Sequence, residues 1–125
     1  MKRRLLDSNI LIYSSKPEYA FLREYIREGT AFLSVINKVE VLGYPKLLNK
    51  EAKYLKRLFE VAPVLPVTNQ VIDHAIKIRA EHNLSLGDAL IGGTAMHYKL
   101  ELVTRNDKDF SQVSELEIFN PIDKK

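Results

Sequence analysis

Apolar residues come in short runs separated by longer amphipathic stretches. Leu5 and Leu6 end the first run, which starts at Arg4, and residues 10–12 continue apolar after a polar break at Asp7, Ser8 and Asn9. Residues 31–35, 64–67, 100–104 and 116–119 are further runs of strand length. Between them the period changes to that of a helix. Pro17 suits a helix's first turn and Gly29 its stop, with Ala20, Phe21, Tyr25 and Ile26 as the stripe between. Asn37 can cap a segment that Pro45 ends or kinks. Asn49 can cap a helix with Leu55, Leu58 and Phe59 on one face. Thr68 opens another, whose Val71, Ile72, Ala75 and Ile76 face inward, and Ser85 opens one running to about residue 98. Strands alternating with helices predict βαβ units. The expected fold is a three-layer α/β/α domain over residues 1–122, with a central, mostly parallel sheet of four to five strands and a charged tail at 123–125.

Composition narrows the class. The 125 residues suit one domain. Area scaling gives roughly 6,800 Å² of folded surface against about 21,000 Å² extended, enough burial for a core without staples. Hydrophobic residues at 46% and charged residues at 28% argue against a largely disordered chain. The absence of cysteine excludes disulfides, thiolate metal sites and cysteine nucleophiles, and is compatible with a reducing cytoplasm. No apolar run nears the roughly 20 residues of a membrane span. Lys2, Arg3 and Arg4 precede a run broken at once by Asp7, so they read as a charged lead-in to a strand rather than a signal peptide. A net charge of +3 permits a nucleic-acid partner without indicating one.

The placement of acids says more than their number. Open parallel sheets bind ligands beyond the carboxyl ends of their strands. Asp7 ends the first strand, Ser34 lies near the end of the second, and Glu40 sits six residues later in the next helix. Asn106, Asp107 and Asp109 follow the fourth strand, and Asp88 starts the helix feeding it. Carboxylates converging on one rim repel one another unless a cation neutralises them. An oxygen-only set favours Mg²⁺, with Mn²⁺ as substitute, over zinc. The chemistry implied is metal-assisted phosphodiester hydrolysis.

Each acid also has a bland explanation. Asn37-x-x-Glu40 and Ser85-x-x-Asp88 have the spacing of capping boxes. Asp7 could form a turn, and Asp107 and Asp109 could be solvated loop residues. Gly92 and Gly93 suggest close helix packing. His74, His82 and His97 show no metal-ligand spacing and read as helix-surface residues. Tyr13 and Tyr44 could stack on bases or pack in the core, and Arg105 could meet a phosphate or solvent.

Taken together, these motifs resemble the PIN-domain family, most closely its VapC-type ribonuclease toxins. The resemblance runs over nearly the whole chain. It rests on Leu5-Leu6-Asp7-Ser8-Asn9-Ile10-Leu11-Ile12, on Ser34 through Glu40 and Val41, on Asp88-Ala89-Leu90-Ile91, and on Val103-Thr104-Arg105-Asn106 with Asp109-Phe110. Asn37 stands where threonine is more usual, Gly92 and Gly93 where alanines are, and Asn106 where many relatives have aspartate. The resemblance implies a Mg²⁺-dependent endoribonuclease that cuts a cellular RNA, is inhibited by a cognate antitoxin protein, and forms a homodimer. Asp7 and Asp88 would bind the metal, and Glu40 would complete the pocket and orient the attacking water. Asn106 or Asp107 would add a contact, Ser8, Asn9, Ser34 and Asp109 would orient the set, and Arg105 would touch RNA. A PIN-like module that binds without cutting is the alternative. A receiver domain would need an aspartate ending the third strand, and Val64-Leu65-Pro66-Val67-Thr68 offers none. A haloacid-dehalogenase-type phosphatase would need an aspartate at position nine, where Asn9 stands. No P-loop motif occurs.

Overall fold

Five short strands form the sheet in the computed structural model, which describes residues 2–27 and 30–122. They are β1 (Arg4–Leu6), β2 (Ala31–Ser34), β3 (Val64–Leu65), β4 (Glu101–Val103) and β5 (Ile118–Phe119). All pair in parallel, in the order β3-β2-β1-β4-β5. The chain steps outward from β1 to β3 and then returns to the other side of β1. The direction therefore reverses between β1 and β4, and the crevice beyond those two strands is where such a sheet accepts ligands.

The helices are α1 (Ser8–Ser14), α2 (Arg23–Arg27), α3 (Val35–Leu42), α4 (Asn49–Val61), α5 (Asn69–Glu81), α6 (Leu86–Tyr98) and α7 (Asp107–Phe110), with a 3-10 helix at Pro17–Leu22. Strand alternation divides the core between two faces. Leu5 and Leu102 join Ala75 and Ile78 of α5 and Ala89, Ile91 and Ala95 of α6. Leu6, Leu33 and Val103 join Ile10 and Leu11 of α1, Val41 of α3, and Leu55, Leu58 and Phe59 of α4. The expected three layers are present, with all five strands parallel.

Several boundaries differ from expectation, each for a local reason. Residues 10–12 are helical, because Asp7 accepts the Ser8 N–H and starts α1. Ser34 rather than Asn37 caps α3. Asn37 sits three positions on and completes a capping box: its N–H donates to Ser34 Oγ at 3.1 Å and its Oδ1 accepts the Ser34 N–H at 2.8 Å. Glu40 is thus not the box acid. Asn49 is the first helical residue after Leu48, whose N–H donates to Glu51. On α5 the buried positions are Val71, Ala75 and Ile78, while Ile72 is 38% exposed and Ile76 61%. A stripe at i, i+4 and i+7 is narrower than the expected one. Pro17 opens the 3-10 helix, Leu22 is the buried residue of that segment, and Ala20 is exposed. The expected stop at Gly29 and the tail at 123–125 lie outside the described residues.

The basic lead-in faces the opposite end of the sheet from Asp7. Lys2 pairs with Glu101 at 3.2 Å and with Glu117, and Arg4 pairs with Glu101 at 3.2 Å. Arg3 lies over Phe32 and Arg4 over Tyr25.

Close approach of α6 to α5 explains the paired glycines. A methyl group at Gly93 would stand 2.7 Å from the Val71 carbonyl oxygen and 3.1 Å from the Ala75 nitrogen, both backbone atoms of α5. At Gly92 it would meet Cδ1 of Ile78 at 3.1 Å, a side-chain end that can move. We expect Gly93→Ala to destabilise the fold by about 1–3 kcal/mol through overpacking, outweighing an intrinsic helix gain of about 1 kcal/mol. Gly92→Ala should stay near neutral. Urea unfolding of both variants checks this, and a stabilised Gly93→Ala would contradict the packing argument.

Candidate active site

Asp7 stands at the reversal point, where β1 ends and α1 begins. It is 3% exposed. Its Oδ1 accepts the Ser8 N–H at 2.8 Å, and its Oδ2 accepts the Thr104 hydroxyl at 2.7 Å and the Asn9 amide at 3.3 Å. Thr104 follows β4, so this bond ties the ends of the two central strands together. The Thr104 oxygen also accepts the Asn106 N–H at 2.9 Å, which shapes the loop after β4.

Asp88 comes from the first turn of α6. Ser85 caps that helix by accepting the Asp88 N–H at 3.1 Å. The Asp88 carboxylate receives Asn106 Nδ2 at 3.1 Å. Glu40 comes from α3, is exposed, and accepts the Ser8 hydroxyl at 2.6 Å on Oε1. Ser8 in turn accepts Asn37 Nδ2 at 3.0 Å, and Asn37 is bound to Ser34. A methyl group at Gly87 would come 2.5 Å from Glu40 Oε2, so glycine lets the start of α6 sit against that carboxylate.

Of the residues expected here, Asp7, Ser8, Asn9, Ser34, Glu40, Asp88 and Asn106 are joined in this network. Asp109, in α7, is near enough for its charge to act on Asp88. Asp107 is joined to a different partner. Its Oδ1 accepts Asn120 Nδ2 at 3.3 Å, so Asn106 faces Asp88 while Asp107 braces the loop against the chain after β5. Thr104 and Asn37 were not anticipated as structural members of the site. Both are fully buried polar side chains beside apolar runs, where a hydroxyl or amide must find a partner; that burial need was the available signal. His74 and His97 lie on adjacent helices with ring centroids 6.3 Å apart, a proximity that their sequence spacing did not show.

Every hydrogen-bond donor to Asp7, Glu40 and Asp88 just described is neutral. Hydroxyls and amides orient these acids without cancelling their charge, as a lysine or arginine would. The consequence appears in the titration of Asp7 and Asp88. Burial raises the Asp7 carboxyl to about 6, helped by the charges of Asp88 and Glu40 and opposed by the Thr104 and Ser8 bonds. Burial also raises Asp88, with Glu40 and Asp109 adding to it and Ser85 and Asn106 opposing it. Perturbed acids in a crevice are the expected signature of a functional site. The donor chemistry fits a hard divalent cation. Among the described residues, no three His, Cys, Asp or Glu side chains converge closely enough to hold an ion as they stand.

A sequence model of the PIN domain matches residues 4–116. The chain belongs to the PIN-domain family. The resemblance read from its motifs is thereby borne out. Among solved structures, a chain of a toxin–antitoxin complex from Klebsiella pneumoniae is 29% identical, with a TM-score of 0.76 over 94% of this PIN domain and 97% of that chain. A chain of DNA-bound VapBC from Salmonella typhimurium is 26% identical, with a TM-score of 0.77 over 95% and 98%. A chain of FitAcB from Neisseria gonorrhoeae, at 21% identity and a TM-score of 0.76 over 95% and 98%, shares the fold. Among curated proteins, none matches the sequence. Among the described residues, no helix of this PIN domain is long and apolar enough to cross a membrane.

The raised Asp7 value carries a stability cost with a definite sign. The folded chain holds the Asp7 proton more tightly than the unfolded chain does. The stabilisation is complete below about 3.8 and is lost as pH rises through about 6. Its size is about 3 kcal/mol without metal. In EDTA, the stability of Asp7→Asn relative to wild type should therefore improve by up to about that amount between pH 4 and pH 7. Urea titrations at both pH values measure it, and a difference that does not change with pH would sink the assignment.

Proposed function

We propose that this PIN domain is a Mg²⁺-dependent endoribonuclease, with Mn²⁺ as substitute, and the toxin of a type II toxin–antitoxin pair acting in the cytoplasm. The observation that carries this reading is the buried Asp7 at the sheet's reversal point, joined to Asp88 and Glu40 through neutral donors only. Its similarity to chains of toxin–antitoxin complexes supports a partner antitoxin protein.

Asp7, Asp88 and Glu40 would hold the cation, with Asp109 adding negative charge beside Asp88. When bound, the ion supplies Lewis-acid polarisation of a phosphoryl oxygen and lowers the pKa of a coordinated water. The chain's own work is positional. Thr104 and Ser8 hold the two Asp7 oxygens, and Asn106 holds one oxygen of Asp88. Ser8 holds Glu40 Oε1, which leaves Oε2 to accept a hydrogen bond from the attacking water and orient it. Arg105, in the loop after β4, supplies positive charge for the RNA backbone.

Family resemblance also implies a homodimer. Ile72, Ile76 and Leu86 expose apolar surface around a cavity of about 260 Å³ between α5 and α6, and we assign this face to the second copy. Ile76→Glu should then convert a dimer to a monomer in sedimentation velocity runs. An unchanged dimer would move the interface elsewhere.

The activity is tested by mapping 5′ ends of total RNA after brief induction in a bacterial host without antitoxin. New ends at one or a few sites, present with wild type and absent with Asp7→Asn, are expected. Identical maps from two folded proteins would favour a PIN-like module that binds RNA or protein without cutting.

A further inference from the structure

Beside the acids lies an open cavity of about 360 Å³, lined by Asn9, Tyr13, Arg105 and Asn106. Its size is at the small end of ligand sites, which run from about 300 Å³ upward, and suits one nucleotide. Asn9 belongs to both features. Its Nδ2 donates to Asp7 Oδ2 at 3.3 Å, and its Oδ1 accepts the Arg105 N–H at 3.2 Å. The cavity wall and the most buried acid are therefore held in one register by a single side chain.

Arg105 is exposed, yet it is supported. Its guanidinium lies 5.2 Å from the centre of the Tyr13 ring, and Nη1 donates to the Tyr13 hydroxyl. Tyr13 is backed in turn by Tyr19, with ring centres 4.6 Å apart. No carboxylate pairs with this arginine among the described residues, unlike Lys2, Arg4, Lys16, Arg27 and Arg57. A guanidinium placed on a ring loses less freedom when it binds than a free one does. It presents a flat cation with further N–H donors into a cavity whose other walls are Asn9, Tyr13 and Asn106. Phosphate accepts such a fork in two parallel bonds, and an unstacked base can lie on a guanidinium or aromatic plane.

We propose that Arg105, held by Tyr13, forms a subsite for the nucleotide next to the scissile bond. The guanidinium takes that nucleotide's phosphate, and the Arg105–Tyr13 stack takes its base. Tyr13 acts as a positioning residue for Arg105. The proposal deepens the ribonuclease reading and rests on it, since only a cutting site gives the subsite its place relative to a scissile bond.

Two readouts separate the two ideas. The first is steady-state cleavage of a short RNA with Mg²⁺. Arg105→Ala should raise KM about tenfold, as expected for loss of a phosphate or stacking contact, and change kcat little. Tyr13→Ala should do the same more weakly, and Tyr13→Phe should keep most of the wild-type KM because the ring remains. The second is fluorescence anisotropy with a fluorescein-labelled RNA of mixed sequence, in an Asp88→Asn background that cannot cut. Adding Arg105→Ala should weaken binding by a similar factor, and Arg105→Lys should recover only part of it. Thermal unfolding confirms that the variants are folded. If wild type does not cut but the Arg105 and Tyr13 effects on binding remain, the ribonuclease reading fails and the nucleotide subsite stands. If wild type cuts and neither KM nor binding responds to Arg105→Ala, the subsite is overturned and the ribonuclease reading stands. No binding by the Asp88→Asn protein, together with an unchanged KM, would also overturn it.

Discussion

The buried charge of Asp7 is the constraint around which the site is arranged. A carboxylate inside a protein needs partners, and the usual solution is a cation. Here the partners are a backbone N–H, a threonine hydroxyl and an asparagine amide. They satisfy lone pairs and leave the charge in place. The same arrangement recurs at Glu40, held by Ser8, and at Asp88, held by Asn106. The result is a crevice whose electrostatic repulsion is relieved by bringing in positive charge, from a cation, from a substrate-bound ion or from protons.

Packing far from the acids sets their spacing. Gly93 lets α6 lie against the backbone of α5, and Gly87 lets the first turn of α6 reach the Glu40 carboxylate. The start of α6 carries Asp88, so helix packing on one face of the sheet delivers one acid. The other face delivers Asp7 and Glu40 through α1 and α3, which share Ser8 and Asn37. The acids thus depend on both layers at once. A shift of either layer by a fraction of an ångström would be felt in their mutual repulsion, because close packing transmits displacement.

The parts of this design that depend on local pattern were legible in the sequence. Apolar runs located all five strands, and strand ends located Asp7 and the loop of Asn106. The start of α6 was marked by Ser85, which does cap it. What could not be read were choices decided by tertiary contacts. Asp7 converts residues 10–12 from a continuing strand into a helix, because its carboxylate caps the turn. Ser34 displaces Asn37 as the cap of α3, freeing the Asn37 amide for Ser8. Among the neighbours Asn106, Asp107 and Asp109, periodicity gives no means of choosing. Their hydrogen bonds are decided by tertiary contacts: Asn106 donates to Asp88, while Asn120 arrives from the far end of the chain and engages Asp107. Ile72 and Ile76 fit an inward stripe equally well on paper, yet α5 buries Val71, Ala75 and Ile78 and leaves these two exposed.

Asn106 shows how the charge balance is tuned. An aspartate there would add a further negative group beside Asp88, which Glu40 and Asp109 already oppose. The amide instead donates to Asp88 Oδ2, lowering the cost of that carboxylate without a cation. It also anchors the loop, since the Asn106 N–H reaches Thr104 and Thr104 reaches Asp7. One residue thereby connects two acids through neutral bonds, by its side chain to Asp88 and by its backbone N–H through Thr104 to Asp7. The site gives up one carboxylate and gains a tether that holds Asp88 in place before any ligand arrives. An acid fixed in advance by an amide loses less freedom on binding an ion than a free one, and this offsets part of the missing charge. On this argument the amide sets how much uncompensated negative charge the crevice carries around Asp7, Glu40 and Asp88.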